Sequence, residues 1–383
     1  MGNLIKIKNL RLKNYRNHLD IKIEPKKNII IIYGKNGSGK TNILESISLL
    51  DSANGLRNAN LSEIVSDELN GPIELFGSSF ELESESLIKK IGLGLKKKNE
   101  NFVKVIRIDN SKTERSALKK DLSIFWVVPK MSYLFQNSSE DRRSFIDMMI
   151  NSVDKNHLEN VSKYQKLKKE RMKILKTPNF EKQSAWLDTI EKKMCFFGMI
   201  VCDSRRTFLK SLNKKLNVIN DKTSNFFLEF NGSIDTLLKS KPAIYVEEFF
   251  LKNLKENRYK DSVSGRTNFS ANKTDLLVYE AISKKEAKNF STGEQKLIVI
   301  SIIFSFIEYT KKVKKIGLIF LLDDIFSYLD KNYIIQLITK LDELRIQTWI
   351  TDVRADSIRK NSNLCKIIHK INIGDKGFKV QDI

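Results

Sequence analysis

Cysteine, histidine and long apolar runs are all scarce in this chain, and each scarcity removes a class of function. Three cysteines among 383 residues, Cys195, Cys202 and Cys365, have neither metal-site spacing nor a disulfide pattern. With no signal-peptide pattern either, the expected setting is a reducing cytoplasm. Cys195 and Cys202 stand seven positions apart on an expected helix and read as packing residues. The three histidines, His18, His157 and His369, are scattered, so metal ligation by them is not expected. The longest apolar run, Leu297 to Ile307, is far shorter than the about 18 residues of a membrane-spanning helix. It reads as a buried helix, and no membrane role is expected. Between Asp141 and Leu216 only Pro178 and Gly198 interrupt a charged stretch, which therefore reads as helical.

Positive charge is abundant. The formal net charge is +22, from 68 Lys and Arg against 46 Asp and Glu. Such an excess favours a polyanionic partner, nucleic acid before others. Lys, Asn and Ile are plentiful together, as an AT-rich genome would also produce, so charge supports this reading without carrying it alone. The length suits two to three domains with a real core.

Four short strings carry the chemistry. Gly34-Lys35-Asn36-Gly37-Ser38-Gly39-Lys40-Thr41 fits the P-loop pattern, whose backbone N–H groups surround phosphates. Lys40 is expected to reach the β/γ-phosphates of ATP, and the Thr41 hydroxyl to bind Mg²⁺. The apolar run Asn28 to Tyr33 precedes it as a buried strand, and Ile43, Leu44, Ile47 and Leu50 follow at helical spacing. Strand, glycine turn and helix N-terminus thus stand in the order that anion binding needs. Ile316 to Leu322 is a second apolar strand, ending on Asp323 and Asp324. Two carboxylates there are costly without a cation or strong donors. Asp323 reads as the second Mg²⁺ anchor and Asp324 as the group that polarises the attacking water. The plainer alternative is that both cap the following helix.

The third string, Phe290-Ser291-Thr292-Gly293-Glu294-Gln295-Lys296, contains a Ser-x-x-Glu capping box, which starts a helix whatever the function. Gly293 and Gln295 are not required for capping. The string looks like the signature motif of ABC-type ATPases. That likeness implies contact from Ser291, Gly293 and Gln295 to a nucleotide held by a second subunit. Ser327-Tyr328-Leu329-Asp330 is the fourth string.

Short alternating runs, Ile5 to Ile7, Leu10 to Leu12 and Leu19 to Ile23, open the chain as strands. Further strands are expected over 73–83, 102–108, 124–128 and 274–278. Trp186, Ile190, Met194, Phe197, Val201, Phe208, Leu212 and Leu216 form an apolar helical stripe. Lys166, Lys168, Lys169, Arg171 and Lys173 read as a solvated face that could also meet phosphates. The expected organisation is an α/β ABC-type ATPase head, a mixed β-sheet with a P-loop core. Residues 1–130 form its N-terminal part, 131–264 an inserted α-helical arm, and 265–383 its C-terminal part.

Ser291 follows Thr41 by 250 positions, longer than a transporter ATPase usually allows and too short for an SMC-type coiled coil. The chain resembles the RecF family of bacterial repair ATPases along nearly its whole length. Leu10 to Asn17, Asn54 to Glu63, and Pro129, Leu134 and Asp141 to Asp147 carry the resemblance. The last segment, with Arg142 and Arg143, is not shared with transporters. Asn137 to Ser139 departs from the family's Gly-x-Pro, and Ser270 to Asp275 keeps of its motif only Asp275, with a conservative Lys273. No switch histidine follows the last core strand, and Thr351 stands there as a candidate γ-phosphate sensor. The resemblance implies an ATP-dependent homodimer that binds double-stranded DNA and single-strand/double-strand junctions. It also implies RecO and RecR as partners, help in loading RecA, support of replication restart and SOS induction, and slow, weak DNA-stimulated ATP hydrolysis. Two alternatives are the ATP-driving subunit of a transporter and a DNA-binding protein with a decayed ATP site.

Overall fold

The structure is a computed structural model. It describes all residues except 1–4, 52–54, 58, 60, 65–76, 85–86, 99–100, 114–116, 118–121, 217–225, 314–316, 325–330, 353–361, 375–379 and 383. The described chain divides into two compact units, residues 1–132 with 310–383, and residues 133–309.

The first unit opens with β1 (Ile5–Tyr15), β2 (His18–Ile23) and β3 (Ile29–Tyr33), and helix Lys40–Ser48 follows. Then come β4 (Gly77–Ser84), β5 (Leu87–Lys98), β6 (Asn101–Ile108), β7 (Ser111–Thr113) and β8 (Leu122–Val127). One sheet is antiparallel throughout, in the order β2-β1-β4-β5-β6-β7. The two alternating runs at the start of the chain prove to be one strand. A bulge between Ile7 and Asn9 shifts the register, so Ile5 and Ile7 face the same side as Leu10 and Leu12 despite the change of parity.

The second unit holds helices Ser139–Val153, His157–Leu175 and Ser184–Asn213, then β9 (Phe226–Gly232) and helix Ala243–Glu256. Strand β10 (Thr274–Glu280) pairs antiparallel with β9, and helix Thr292–Val313 begins after it. Residues 265–309 belong to this unit, whereas the sequence led us to divide the chain at 264/265. The physical reason is the β9–β10 pairing, together with Arg142. That guanidinium grips Asp275 through two bonds of 2.6 and 2.7 Å, while Arg143 donates to the Thr274 carbonyl at 2.7 Å. The Arg-Arg segment that marked the family resemblance is thus a clamp on β10.

The expected stripe on helix Ser184–Asn213 is buried at Ile190, Met194, Val201, Phe208 and Leu212, with Cys195 and Cys202 beside it. Trp186 departs from it and is 66% exposed, while the adjacent Leu187 is the residue of that turn that is buried. Arg171 is also corrected. It is fully buried rather than on a solvated face, bonded to Glu191 and Asp261 at 2.7 Å each. Lys166, Lys169 and Lys173 do face solvent.

The chain returns to the first unit with β11 (Gly317–Leu322), β12 (Gln347–Asp352), β13 (Ile368–Ile373) and β14 (Val380–Asp382). These join β3 and β8 in the order β14-β13-β3-β12-β11-β8, parallel except for β14. Strands buried on both faces need continuous apolar sequence, as Ile29 to Ile32 and Leu318 to Leu322 supply. Ile7, Leu10, Phe80 and Leu93 of the antiparallel sheet meet Ile30, Ile32, Leu321 and Trp349 of the parallel sheet in one core.

Asp147, almost wholly buried, is bonded to Arg205 at 2.8 and 2.7 Å and to His157 at 2.8 Å. Burial pushes its pKa up, but the Arg205 charge and hydrogen bonds outweigh this and hold it at about 2, below the ordinary 3.8. A depressed carboxylate pKa stabilises the fold above the unfolded-state value, and that stability is lost as pH falls from 3.8 towards 2. Asp147→Asn leaves the Arg205 charge buried and uncompensated, with an expected cost of about 3–5 kcal/mol. Chemical denaturation at neutral pH checks this, and wild-type stability in the variant would contradict it.

Candidate nucleotide-binding site

The P-loop residues lie between β3 and helix Lys40–Ser48, as the sequence requires. Lys35, Asn36 and Gly37 are exposed, while Ser38 and Lys40 are buried. The turn depends on positive φ at Gly37 (83°) and Gly39 (93°), which side chains disfavour. A Cβ on Gly39 would fall on the His18 ring and the Asn17 amide. The loop is braced from the β1–β2 turn. The His18 Nε2 lies 3.0 Å from the Gly39 carbonyl, and Asn17 donates to the Gly37 carbonyl at 3.3 Å. Asn42 donates to Asn17 at 2.7 Å, and Arg57 to Asn42 at 2.8 Å. The sequence reading missed this brace. Its one signal was Asn17 in the opening motif, since a lone His18 carries none.

Lys40 Nζ donates to the Gly34 and Lys35 carbonyls at 2.7 and 2.8 Å, which holds the cation inside the loop. Burial lowers its pKa from the ordinary lysine value, opposed by attraction from Asp324, Asp352 and Asp323. The Ser38 hydroxyl is buried and has no hydrogen-bond partner. A phosphate oxygen would satisfy it, and the helix N-terminus beside it favours an anion.

Asp323 follows β11 and meets the P-loop directly. Thr41 Oγ1 donates to Asp323 Oδ1 at 2.9 Å, although the two residues are 282 positions apart. Thr351 Oγ1, at the end of β12, donates to the same oxygen at 2.7 Å. Thr351 also accepts from the Asp324 backbone N–H at 2.9 Å. Asp324 has a φ of 49°, a left-handed conformation that Asp adopts more readily than longer side chains. Mg²⁺ prefers hard oxygens and takes few from the protein when phosphates supply others. The Thr41 hydroxyl with the Asp323 carboxylate is such a pair. Bound there, Mg²⁺ would neutralise developing charge on the phosphates.

Residues 6–373 match the family described as RecF/RecN/SMC N terminal domain. A "DNA replication and repair protein RecF" of Rickettsia felis is 33% identical over 373 residues, covering 94% of this chain and 96% of the relative. The Rickettsia typhi protein of the same name is 34% identical over 368 residues, covering 94% and 97%. The chain belongs to the RecF family. Membership carries the coarse function of a RecF-type ATPase in DNA repair. The fold agrees: a structure of "the recombination mediator protein RecF-ATP in RecFOR pathway" aligns at a TM-score of 0.83 and 20% identity, covering 100% and 99% of the two chains. An Smc head domain from Pyrococcus furiosus aligns at 0.55 and 14%, covering 99% and 96%.

The signature-like string Phe290 to Lys296 lies in the second unit. Ser291 and Glu294 form the expected capping box, Ser291 N and Oγ donating to Glu294 Oε2 at 2.8 and 2.6 Å. These bonds hold the Glu294 pKa below the usual glutamate value. Ser291 and Gly293 are exposed, and a Cβ on Gly293 would meet nothing within 4 Å. Gln295 is buried, and its amide donates to the Lys288 and Phe290 carbonyls at 3.0 and 2.9 Å, because the loop before the helix needs those acceptors satisfied. Ser327 to Asp330 lies outside the described residues.

Gly39→Ala combines left-handed strain with a clash and should cost at least about 1 kcal/mol locally. The expected readout is loss of nucleotide affinity with unchanged far-ultraviolet circular dichroism. Wild-type affinity in this variant would contradict the loop geometry.

Proposed function

We propose that the protein is an ATP-dependent DNA-binding ATPase of recombinational gap repair, replication restart and SOS induction. The observation that carries this reading is the Thr41–Asp323 hydrogen bond. It joins the phosphate loop to the carboxylate strand as a magnesium-nucleotide site requires. In this reading Gly34 to Thr41 surround the phosphates, Lys40 neutralises them, Thr41 and Asp323 hold Mg²⁺, and Asp324 polarises the attacking water. Asp is one methylene shorter than the Glu common at the second position, so turnover is slow.

Two copies close around two ATP molecules, each between one P-loop and the partner copy's Ser291 and Gly293. The open space at Gly293 supports this, since nothing described in its own chain excludes a Cβ there. The closed dimer holds double-stranded DNA, single strands and junctions through phosphate contacts, so binding weakens with salt, and hydrolysis releases it. The charge of +22 supports that partner. RecO and RecR are the proposed protein partners, since a similar protein is described in the RecFOR pathway, with a functional link to RecA. The proposed location is the cytoplasm. Among the described residues, no helix is long and apolar enough to cross a membrane.

Lys40→Ala should abolish ATP-dependent dimerisation and DNA retention. Asn tolerates the left-handed backbone as Asp does, so Asp324→Asn isolates the carboxylate. Its hydrolysis should fall by about a hundredfold or more, leaving a DNA-bound dimer with Mg-ATP. Gel filtration and phosphate release read both, and a wild-type cycle in either variant would sink the mechanism. Ser291→Arg should block dimerisation while its monomer keeps ATP. Loss of nucleotide by that monomer would refute the role across the dimer.

A further inference from the structure

We infer that Thr351 is a positioning residue for hydrolysis, aligning Asp323 and Asp324 through one hydroxyl rather than sensing phosphate itself. This rests on the proposed ATPase reading and adds a residue to it. Strand β12 lies between β3, which delivers the P-loop, and β11, which delivers the carboxylates. Ile350 pairs with Leu322 across β11–β12, so the next residues of the two strands, Thr351 and Asp323, stand side by side. On the other side Thr351 pairs with Ile32 of β3.

Thr351 is 1% exposed. A hydroxyl has one proton to donate, and that proton is committed to Asp323 Oδ1 at 2.7 Å. The Thr351 Oγ1 in turn accepts from the Asp324 backbone N–H at 2.9 Å. With its proton committed, Thr351 has none to offer a phosphate oxygen. What it can do is fix two things at once. It orients the Asp323 carboxylate, and it ties down the backbone of Asp324 in its left-handed conformation. Thr41 also donates to Asp323 Oδ1, and a hydroxyl that turns a lone pair to a cation keeps its proton for that bond. Of the two hydroxyls, Thr351 is the one that also holds the Asp324 backbone, so it couples the two carboxylates. Groups that orient a ligand from behind typically change metal affinity or activity by about 10- to 100-fold when removed.

Thr351→Val removes the hydroxyl at nearly constant shape, Thr351→Ala removes it with the branch, and Thr351→Ser keeps it. Thermal melting confirms folding in each, and Thr351→Ala serves if Thr351→Val does not fold. Two quantities are measured: hydrolysis against ATP concentration, and binding of a fluorescent ATP analogue titrated with Mg²⁺ or in EDTA. In the variants lacking the hydroxyl, kcat should fall by about 10- to 100-fold and the half-saturating Mg²⁺ should rise. Metal-free nucleotide affinity should stay at the wild-type value, and Thr351→Ser should restore both quantities. A wild-type kcat and Mg²⁺ requirement in Thr351→Val, or Thr351→Ser as impaired as Thr351→Val, overturns the inference and leaves the ATPase reading standing. Wild-type protein that binds Mg-nucleotide without hydrolysing it overturns turnover alone, and the Mg²⁺ titration still decides Thr351. Wild-type protein that binds no nucleotide overturns both.

Discussion

One carboxylate oxygen ties the nucleotide site together. Asp323 Oδ1 accepts from Thr41 on the P-loop helix and from Thr351 on β12, so three segments distant in sequence converge on it. An ionised carboxylate at the end of a buried strand is unfavourable unless strong donors meet it. Two hydroxyls within 3 Å supply them, and the Lys40 ammonium adds charge nearby. The remaining site features depend on that convergence. The P-loop needs its positive-φ glycines and its Asn17–His18 brace to bring Thr41 there. Asp324 takes a left-handed turn immediately after.

The second unit relies on buried and half-buried arginines. Arg142 binds Asp275, Arg171 binds Glu191 and Asp261, and Arg205 binds Asp147. Each pair spans distant parts of the sequence, and Arg forms two-pronged bonds that fix orientation as well as proximity. Such pairs contribute little net stability over apolar packing, but breaking one leaves an exposed cost. They explain why the strand β10 and the signature that follows it belong with the helices.

Much of the fold was legible because periodicity reports burial. The uninterrupted isoleucines of β3 and the apolar run before Asp323 announced doubly covered strands. The stripe from Ile190 to Leu212 announced a packed helix. The errors have physical causes. Parity failed in β1 because a bulge inserts one residue, and Arg171 looked like its solvated neighbours because burial of a charge depends on partners 20 and 90 positions away.

The residue types themselves determined that this chain carries a P-loop pattern, a carboxylate pair at the end of an apolar strand and a helix-capping signature, since each rests on short-range spacing and backbone chemistry. Only tertiary structure decided which hydroxyls reach Asp323. Those pairings follow from strand order and from the register between strands. Neither is written in any local pattern, because the P-loop helix and the carboxylate strand stand 282 positions apart in the chain.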